Sequence, residues 1–176
     1  IIKSGEALEK MGKVDTIAFD KTGTLTCGRL DVSDVISFDE TVSKTELLTL
    51  AASAEAKSEH PLGKAIVAYA REKEVPLTES AAFRMTAGKG VFAEVGHRSL
   101  LCGNEKFLME KEVLTDSRVQ AALERLRAQG KASVLIAEDR KCIGIIALSD
   151  VLRPEAKDMV SRLSAMHTRT ILLTGD

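Results

Sequence analysis

Asp20 opens the run Asp20-Lys21-Thr22-Gly23-Thr24-Leu25-Thr26, which sets an acid among hydroxyls, a glycine and a cation. The preceding Val14-Asp15-Thr16-Ile17-Ala18-Phe19 is apolar and β-rich, and predicts a buried strand. A carboxylate at the C-terminal end of such a strand lies where open α/β sheets bind ligands. It can attack phosphorus and give an aspartyl-phosphate. Thr22, Thr24 and the amides around Gly23 can hold phosphoryl oxygens, and Lys21 adds a positive charge. The plain alternative is a polar turn with a capping acid, which does not require all seven residues in this order. Phosphatases with an aspartate nucleophile usually place a second Asp two residues on, to activate water. Here that position is Thr22, which cannot serve as a general acid or base near neutral pH. The acyl-phosphate is therefore expected to persist, which suits an energy-coupling device better than a scavenging phosphatase.

A second group of residues has the chemistry of a ligand pocket. His60, directed by Pro61, can stack on or hydrogen-bond to a purine, or it can simply cap a helix. Gly88 and Gly90 remove side chains where a backbone approaches a ligand or takes positive φ, although a hairpin bend needs the same residues. Lys89 can face phosphate or solvent. Gly103-Asn104 reads either as a ligand contact or as a turn whose Asn caps a helix. Thr174 and Asp176, after the strand-like Thr170–Leu173, are expected to line the same crevice as Asp20.

The elements that must position these residues follow from periodicity. Gly5–Met11 reads as a short helix ahead of the Asp20 strand. A strand-like stretch carries Leu30, Val32, Val35 and Ile36. A helix through Leu47, Leu48, Leu50 and Ala51 follows, with Ser43 and Glu46 forming a capping box. Pro61 suits the first turn of the next helix, whose Leu62, Ala65, Ile66 and Tyr69 share one face. Phe83 to Val95 predicts a hairpin bent at Gly88–Gly90, followed by a strand over Arg98–Cys102 and a short helix at Phe107–Met109. Ser117–Ala128 is an amphipathic helix with Val119, Ala122, Leu123 and Leu126 inward, stopped by Gly130. Ser133–Ala137 and Cys142–Leu148 predict a second hairpin. Asp150–Pro154 marks a boundary before a last helix and strand.

Composition sets bounds on function. With 44% hydrophobic and 29% charged residues and a formal net charge of −1, the chain is of globular type and has no basic excess to attract nucleic acid. Aromatics at 3% offer no base-stacking surface. No run reaches the ~18 apolar residues of a membrane span. Three scattered cysteines without a C-x-x-C pair argue against a soft-metal site or a disulfide framework, and predict buried or half-buried thiols. The start, Ile1-Ile2-Lys3-Ser4-Gly5, lacks an initiator Met and reads as cut from something longer.

Taken together, the motifs resemble those of the P-type ATPases, whose phosphorylation motif is DKTGT[LI]T. Ser58-Glu59-His60-Pro61-Leu62 resembles the SEHPL signature of the heavy-metal-transporting subgroup. Gly88-Lys89-Gly90 and Gly103-Asn104 resemble its glycine pair and its Gly-Asn, and Thr174-Gly175-Asp176 resembles its TGD motif. The resemblance implies an α/β chain: an antiparallel, helix-flanked nucleotide-binding domain over residues 29–148, inserted into an incomplete parallel, haloacid-dehalogenase-like phosphorylation domain made of 1–28 and 149–176. It implies ATP bound near Glu55, His60, Gly88, Gly90, Gly103 and Asn104, with Glu55 accepting from the adenine amino group. It implies Asp20 as the phosphorylated residue, with Lys21, Thr22, Thr174 and Asp176 around it, and Mg²⁺ held by the Asp20 carboxylate and the Thr22 backbone carbonyl. Asp150 and Arg153 match a hinge, where Arg153 either bridges phosphates or forms a surface ion pair. The expected partners are ATP and the transmembrane and actuator domains of the same pump, on the cytoplasmic face of a membrane. The family's GDGxNDxP segment, which supplies carboxylates for Mg²⁺, would follow Asp176. The 176 residues by themselves are thus expected to bind ATP without turnover; a free-standing aspartate-dependent phosphatase is disfavoured by Thr22.

Overall fold

The computed structural model describes residues 4–173, apart from the side chains of Ala7, Leu8, Met11 and Thr22. The chain divides into two compact units, one formed by residues up to Arg29 and from Asp150 onward, the other by Leu30–Ser149. The boundaries fall inside two long strands, β2 (Thr26–Ser37) and β7 (Lys141–Leu152). β7 itself runs on through Asp150. No helix among the described residues is long and apolar enough to cross a membrane.

In the first unit, helix α1 (Gly5–Met11) precedes β1 (Thr16–Asp20). β1 pairs in parallel with β8 (Arg169–Leu173), Asp20 opposite Leu173. α6 (Ala156–Ala165) leads back to β8, as a parallel return requires a crossover. The expectation of a buried strand fails here. Only Ile17 and Phe19 of β1's apolar residues are half-buried, while Ala18 is exposed, because among the described residues β1 belongs to a sheet of two strands.

The second unit is a six-stranded sheet in the order β2-β7-β6-β5-β4-β3. β3 (Ser80–Thr86), β4 (Gly90–Val95), β5 (Arg98–Gly103), β6 (Ala132–Glu138) and β7 are joined by antiparallel pairs. The β6–β7 bend needs only Asp139 and Arg140, at φ 46° and 63°. Two left-handed residues in succession match the twist of paired strands. Helices α2 (Lys44–Glu55) and α3 (Pro61–Glu72) cover one face, and α4 (Glu105–Glu110) and α5 (Ser117–Ala128) the other. β6 shows the consequence: Val134 and Ile136 join the first core while Leu135 and Ala137 join the second. A strand covered on both faces reads as a continuous apolar run, not an alternating one. The inward residues expected for α5, Val119, Ala122, Leu123 and Leu126, are all buried. In α3 the face is rotated slightly: Ile66, Val67 and Ala70 are buried, and Leu62, Ala65 and Tyr69 only partly so.

The capping box at α2 is half formed. Ser43 accepts from the Glu46 N–H at 3.1 Å, but the Glu46 carboxylate accepts from Arg98 at 2.7 Å instead of returning to Ser43. Arg98 also forks onto both oxygens of Glu138 at 2.6 Å, tying α2, β5 and β6 together. A planar guanidinium suits two carboxylates, and both partners raise its affinity for the proton, Glu138 most. Replacing Arg98 with Met is expected to destabilise the chain by about 1–3 kcal/mol, chiefly by stranding Glu138. Arg98→Lys should recover only part of this, since an ammonium cannot fork. Thermal melts of both variants provide the check.

Candidate functional site

Asp20 ends β1 in an extended conformation, and its carboxylate is exposed. The next five residues, Lys21–Leu25, wind into a single wide turn of π type, with Gly23 at φ 77°. Thr26 holds this turn from beneath. Its hydroxyl, in a residue only 2% exposed, accepts from the Gly23 N–H at 3.0 Å. It lies 2.5 Å from Asp150 Oδ2 and 3.1 Å from the Lys21 carbonyl, with one hydrogen to give. The ionised acceptor at the shorter distance is the stronger competitor. Arg153 adds two further stitches: its N–H donates to the Leu25 carbonyl at 2.9 Å and its guanidinium to the Gly23 carbonyl at 3.2 Å. Among the described residues Arg153 is thus engaged with the turn and makes no ion pair. Thr174 and Asp176 lie outside the described residues, and of Thr22 only the backbone is described.

The second unit holds a cavity of about 420 Å³, within the range of small-molecule sites. Glu55, His60, Gly88, Gly90, Gly103 and Asn104 all line it, with Leu62, Met85, Val91, Ser133 and Val134 among their neighbours. Glu55 is the last residue of α2 and is 5% exposed. Burial pushes its carboxyl pKa up, against a hydrogen bond from Ser58 that lowers it. Its Oε2 is buried with no hydrogen-bond partner among the described residues. α3 comes so close that a Cβ at Gly63 would collide with Glu55 Oε2 and sit 2.9 Å from Ser58 Oγ.

His60 is both a cap and a wall. Its Nδ1 accepts from the Leu62 N–H at 3.2 Å, starting α3 just before Pro61. A neutral ring accepting there carries its hydrogen on Nε2, and the exposed side chain also borders the cavity. Asn104 works similarly: its Oδ1 accepts from the Phe107 N–H at 2.9 Å, capping α4, and its amide donates to the Gly88 carbonyl at 3.0 Å. The glycines answer different demands. Gly88 takes φ 69° in the hairpin bend. Gly90 and Gly103 face each other across β4 and β5: a Cβ on Gly90 would strike the Cys102 carbonyl, and one on either would lie 2.8 Å from the Phe107 ring. Their identity is set by protein packing.

The cavity walls carry no spare cation. Lys89 lies 2.6 Å from Glu110 in an ion pair, and the other lysine, arginine or acidic residues of the lining are Glu55 and Glu59. Such walls suit an uncharged, flat group with a hydrogen-bond donor for Glu55. The cysteines take no evident part. Cys102 and Cys142 are buried, and burial raises both thiols, Cys102 well up with a smaller push from Glu55 and Cys142 to about 11. Cys27 is exposed, contrary to expectation, because the first turn of β2 lies at the surface. Ser133 is a residue that sequence reading did not single out, because it belongs to no periodic pattern; Thr26 closes the Asp20 run, and its hydroxyl's hold on the turn is seen only in the structure.

The family model for haloacid dehalogenase-like hydrolases matches residues 14–176, and the chain belongs to that family. Over its whole length it is homologous to the phosphorylation and nucleotide-binding portion of heavy-metal P-type ATPases. It is 39% identical over 176 residues to the copper-exporting P-type ATPases of Staphylococcus aureus (strain bovine RF122 / ET3-1) and Bacillus subtilis (strain 168), covering 100% of this chain and 21% and 22% of theirs. A zinc-transporting PIB-type ATPase solved in the E2·Pi state superimposes with a TM-score of 0.88 at 36% identity, covering 100% of this chain and 28% of that one. The chain thus spans about a fifth of the length of these curated relatives.

Glu55 gives a pH test. Because its carboxyl is raised above the ordinary value of 4.5 in the folded chain, the stability linked to it is complete below that value and is lost as pH rises through the raised one. Glu55→Gln removes the group. It should flatten the fall of stability with pH above 4.5 and raise the melting temperature at pH 7 by on the order of 2–4 °C. Melts at a series of pH values decide it, and a variant that melts lower than the parent at pH 7 would refute it.

Proposed function

We propose that this chain is the ATP-binding and phosphorylation portion of a heavy-metal cation-transporting P-type ATPase. The reading is carried by one observation: Glu55, His60, Gly88, Gly90, Gly103 and Asn104, far apart in sequence, line a single cavity whose walls fit a nucleoside base. The adenine amino group donates to Glu55, and the His60 ring lies against or hydrogen-bonds to the base. Gly88, Gly90, Gly103 and Asn104 shape the wall. The triphosphate is left outside, since no spare cation lines the cavity.

At Asp20 a carboxylate oxygen attacks the γ-phosphorus, the bond from phosphorus to the β–γ bridging oxygen breaks, and ADP leaves. Water later cleaves the aspartyl-phosphate. Positioning and charge neutralisation supply most of the rate in such transfers, with Lys21, Thr22, Thr174 and Asp176 as the residues that surround the phosphoryl group. The Asp20 carboxylate has no hydrogen-bond or ion-pair partner among the described residues, and with the Thr22 backbone carbonyl it offers hard oxygen donors of the kind Mg²⁺ takes. Mg²⁺ held there would neutralise charge on the phosphates. In the intact pump, on the cytoplasmic face of a membrane, this cycle would drive transport of a metal of the copper or zinc class.

Calorimetric titration is expected to show ATP binding that barely responds to Mg²⁺. His60→Gln should weaken it about three- to tenfold. Equal affinity for parent and variant would remove His60 from the site. Asp20→Asn should leave ATP affinity unaltered and abolish the acid-stable phosphoenzyme of the full-length protein; retained labelling would place the nucleophile elsewhere.

A further inference from the structure

Ser133 stands out within its own strand. β6 runs Ala132-Ser133-Val134-Leu135-Ile136-Ala137-Glu138, and it is covered on both faces from Val134 to Ala137. Ser133 is its only hydroxyl residue, fixed in register opposite Ala147 of β7. Serine in a strand normally satisfies its hydroxyl with nearby backbone or water. Here the Oγ is buried and has no partner among the described residues.

Position gives that orphan a meaning. Only four buried side-chain polar atoms lack partners among the described residues: Glu55 Oε2, Ser80 Oγ, Ser133 Oγ and Asp150 Oδ1. The first and third line the same cavity. Glu55 is nine-tenths buried and more, so the cavity holds two desolvated hydrogen-bonding groups that the protein itself leaves unanswered. A ligand that hydrogen-bonds to both gains on each, because an unmade buried hydrogen bond is more costly than a made one is favourable.

We infer that Ser133 is a specificity-determining contact of this cavity, its hydroxyl hydrogen-bonding to the base or ribose of a bound adenine nucleoside while Glu55 takes the exocyclic amino group. The inference rests on the nucleotide reading above and adds to it a residue that no motif marks. The two groups are chemically complementary. Glu55 as a carboxylate only accepts, whereas a serine hydroxyl donates as readily as it accepts. An adenine nucleoside brings an amino donor, ring-nitrogen acceptors and ribose hydroxyls. Guanine presents a carbonyl oxygen where adenine presents its amino group, which an ionised Glu55 repels.

The test is calorimetric titration of this chain with ATP and with GTP, for the parent, Ser133→Ala and Ser133→Thr, each with a thermal melt. Ser133→Ala is expected to bind ATP about fivefold more weakly while melting no lower than the parent, since it removes an unsatisfied group. Ser133→Thr, which keeps the hydroxyl, should retain more of the affinity than Ser133→Ala. Unchanged ATP affinity in Ser133→Ala overturns the inference. So does a lowered melting temperature with unchanged affinity, which would assign the hydroxyl to a structural water. A parent chain that melts cooperatively yet binds no ATP takes down the nucleotide reading and this inference together. Parental binding that Ser133→Ala preserves takes down the inference alone.

Discussion

Burying a carboxylate without satisfying it is among the costliest things a small domain can do, and much of the second unit is arranged around Glu55. The helix that carries it is buried along its whole second half, from Leu50 to Glu55, because α3 lies over it and the sheet under it. That packing brings the end of α2 into the interior. Ser58 supplies one hydrogen bond, the close approach of α3 requires a glycine at position 63, and the cap made by His60 fixes where α3 begins. Burial, more than any charge nearby, shifts the Glu55 carboxyl, and the effect reaches the Cys102 thiol on β5. A fold that keeps such a residue forgoes stability at that point. Apolar residues could fill the same volume, so the carboxylate is better explained by what it binds than by what it stabilises.

The opposite wall is rigid for a different reason. Gly90 and Gly103 let β4 and β5 run beside the Phe107 ring without intervening side chains, and Asn104 spends both ends of its amide on α4 and the Gly88 bend. No ligand is needed to hold that geometry. The cavity is therefore largely pre-formed, which lowers the ordering cost of binding. The Asp20 turn follows the same logic with other means. A buried threonine hydroxyl, a carboxylate and two donors from Arg153 hold the backbone of the turn, leaving the Asp20 carboxylate itself exposed.

What the sequence could disclose follows the range of the forces involved. α5 and the β6–β7 hairpin were legible because periodicity, caps and a short polar join are local. The motif around Asp20 and the residues of the cavity were legible through resemblance, which identified them without explaining them. Gly90 and Gly103 invited a ligand-approach reading, yet they answer to Phe107, a contact that no spacing rule reveals. The Ser43–Glu46 box was half right because Arg98, fifty-two residues beyond Glu46, competes for the carboxylate. β1 looked like a buried strand because its residues are apolar; burial depends on neighbours, and among the described residues it pairs with one strand. Ser133 was illegible for the simplest reason. A single hydroxyl carries no pattern, and its importance appears only when its partners, or their absence, can be counted.

The distribution of charge bears on how the proposed cycle divides its labour. Binding that is equally strong in ground and transition states lowers KM without accelerating chemistry. Contacts to the base are of that kind, since the base does not change during phosphoryl transfer. The cavity presents acids and apolar walls, with its lysine already paired to Glu110, so in the proposed cycle its interactions fall on the base and supply affinity. The groups able to respond to charge developing on phosphorus, Lys21 and the amides of the turn, belong to the sequence around Asp20 instead. In the proposed cycle, recognition and chemistry thereby fall to separate residues. Substitutions in the cavity should act on nucleotide affinity, and substitutions around Asp20 on the phosphorylation step.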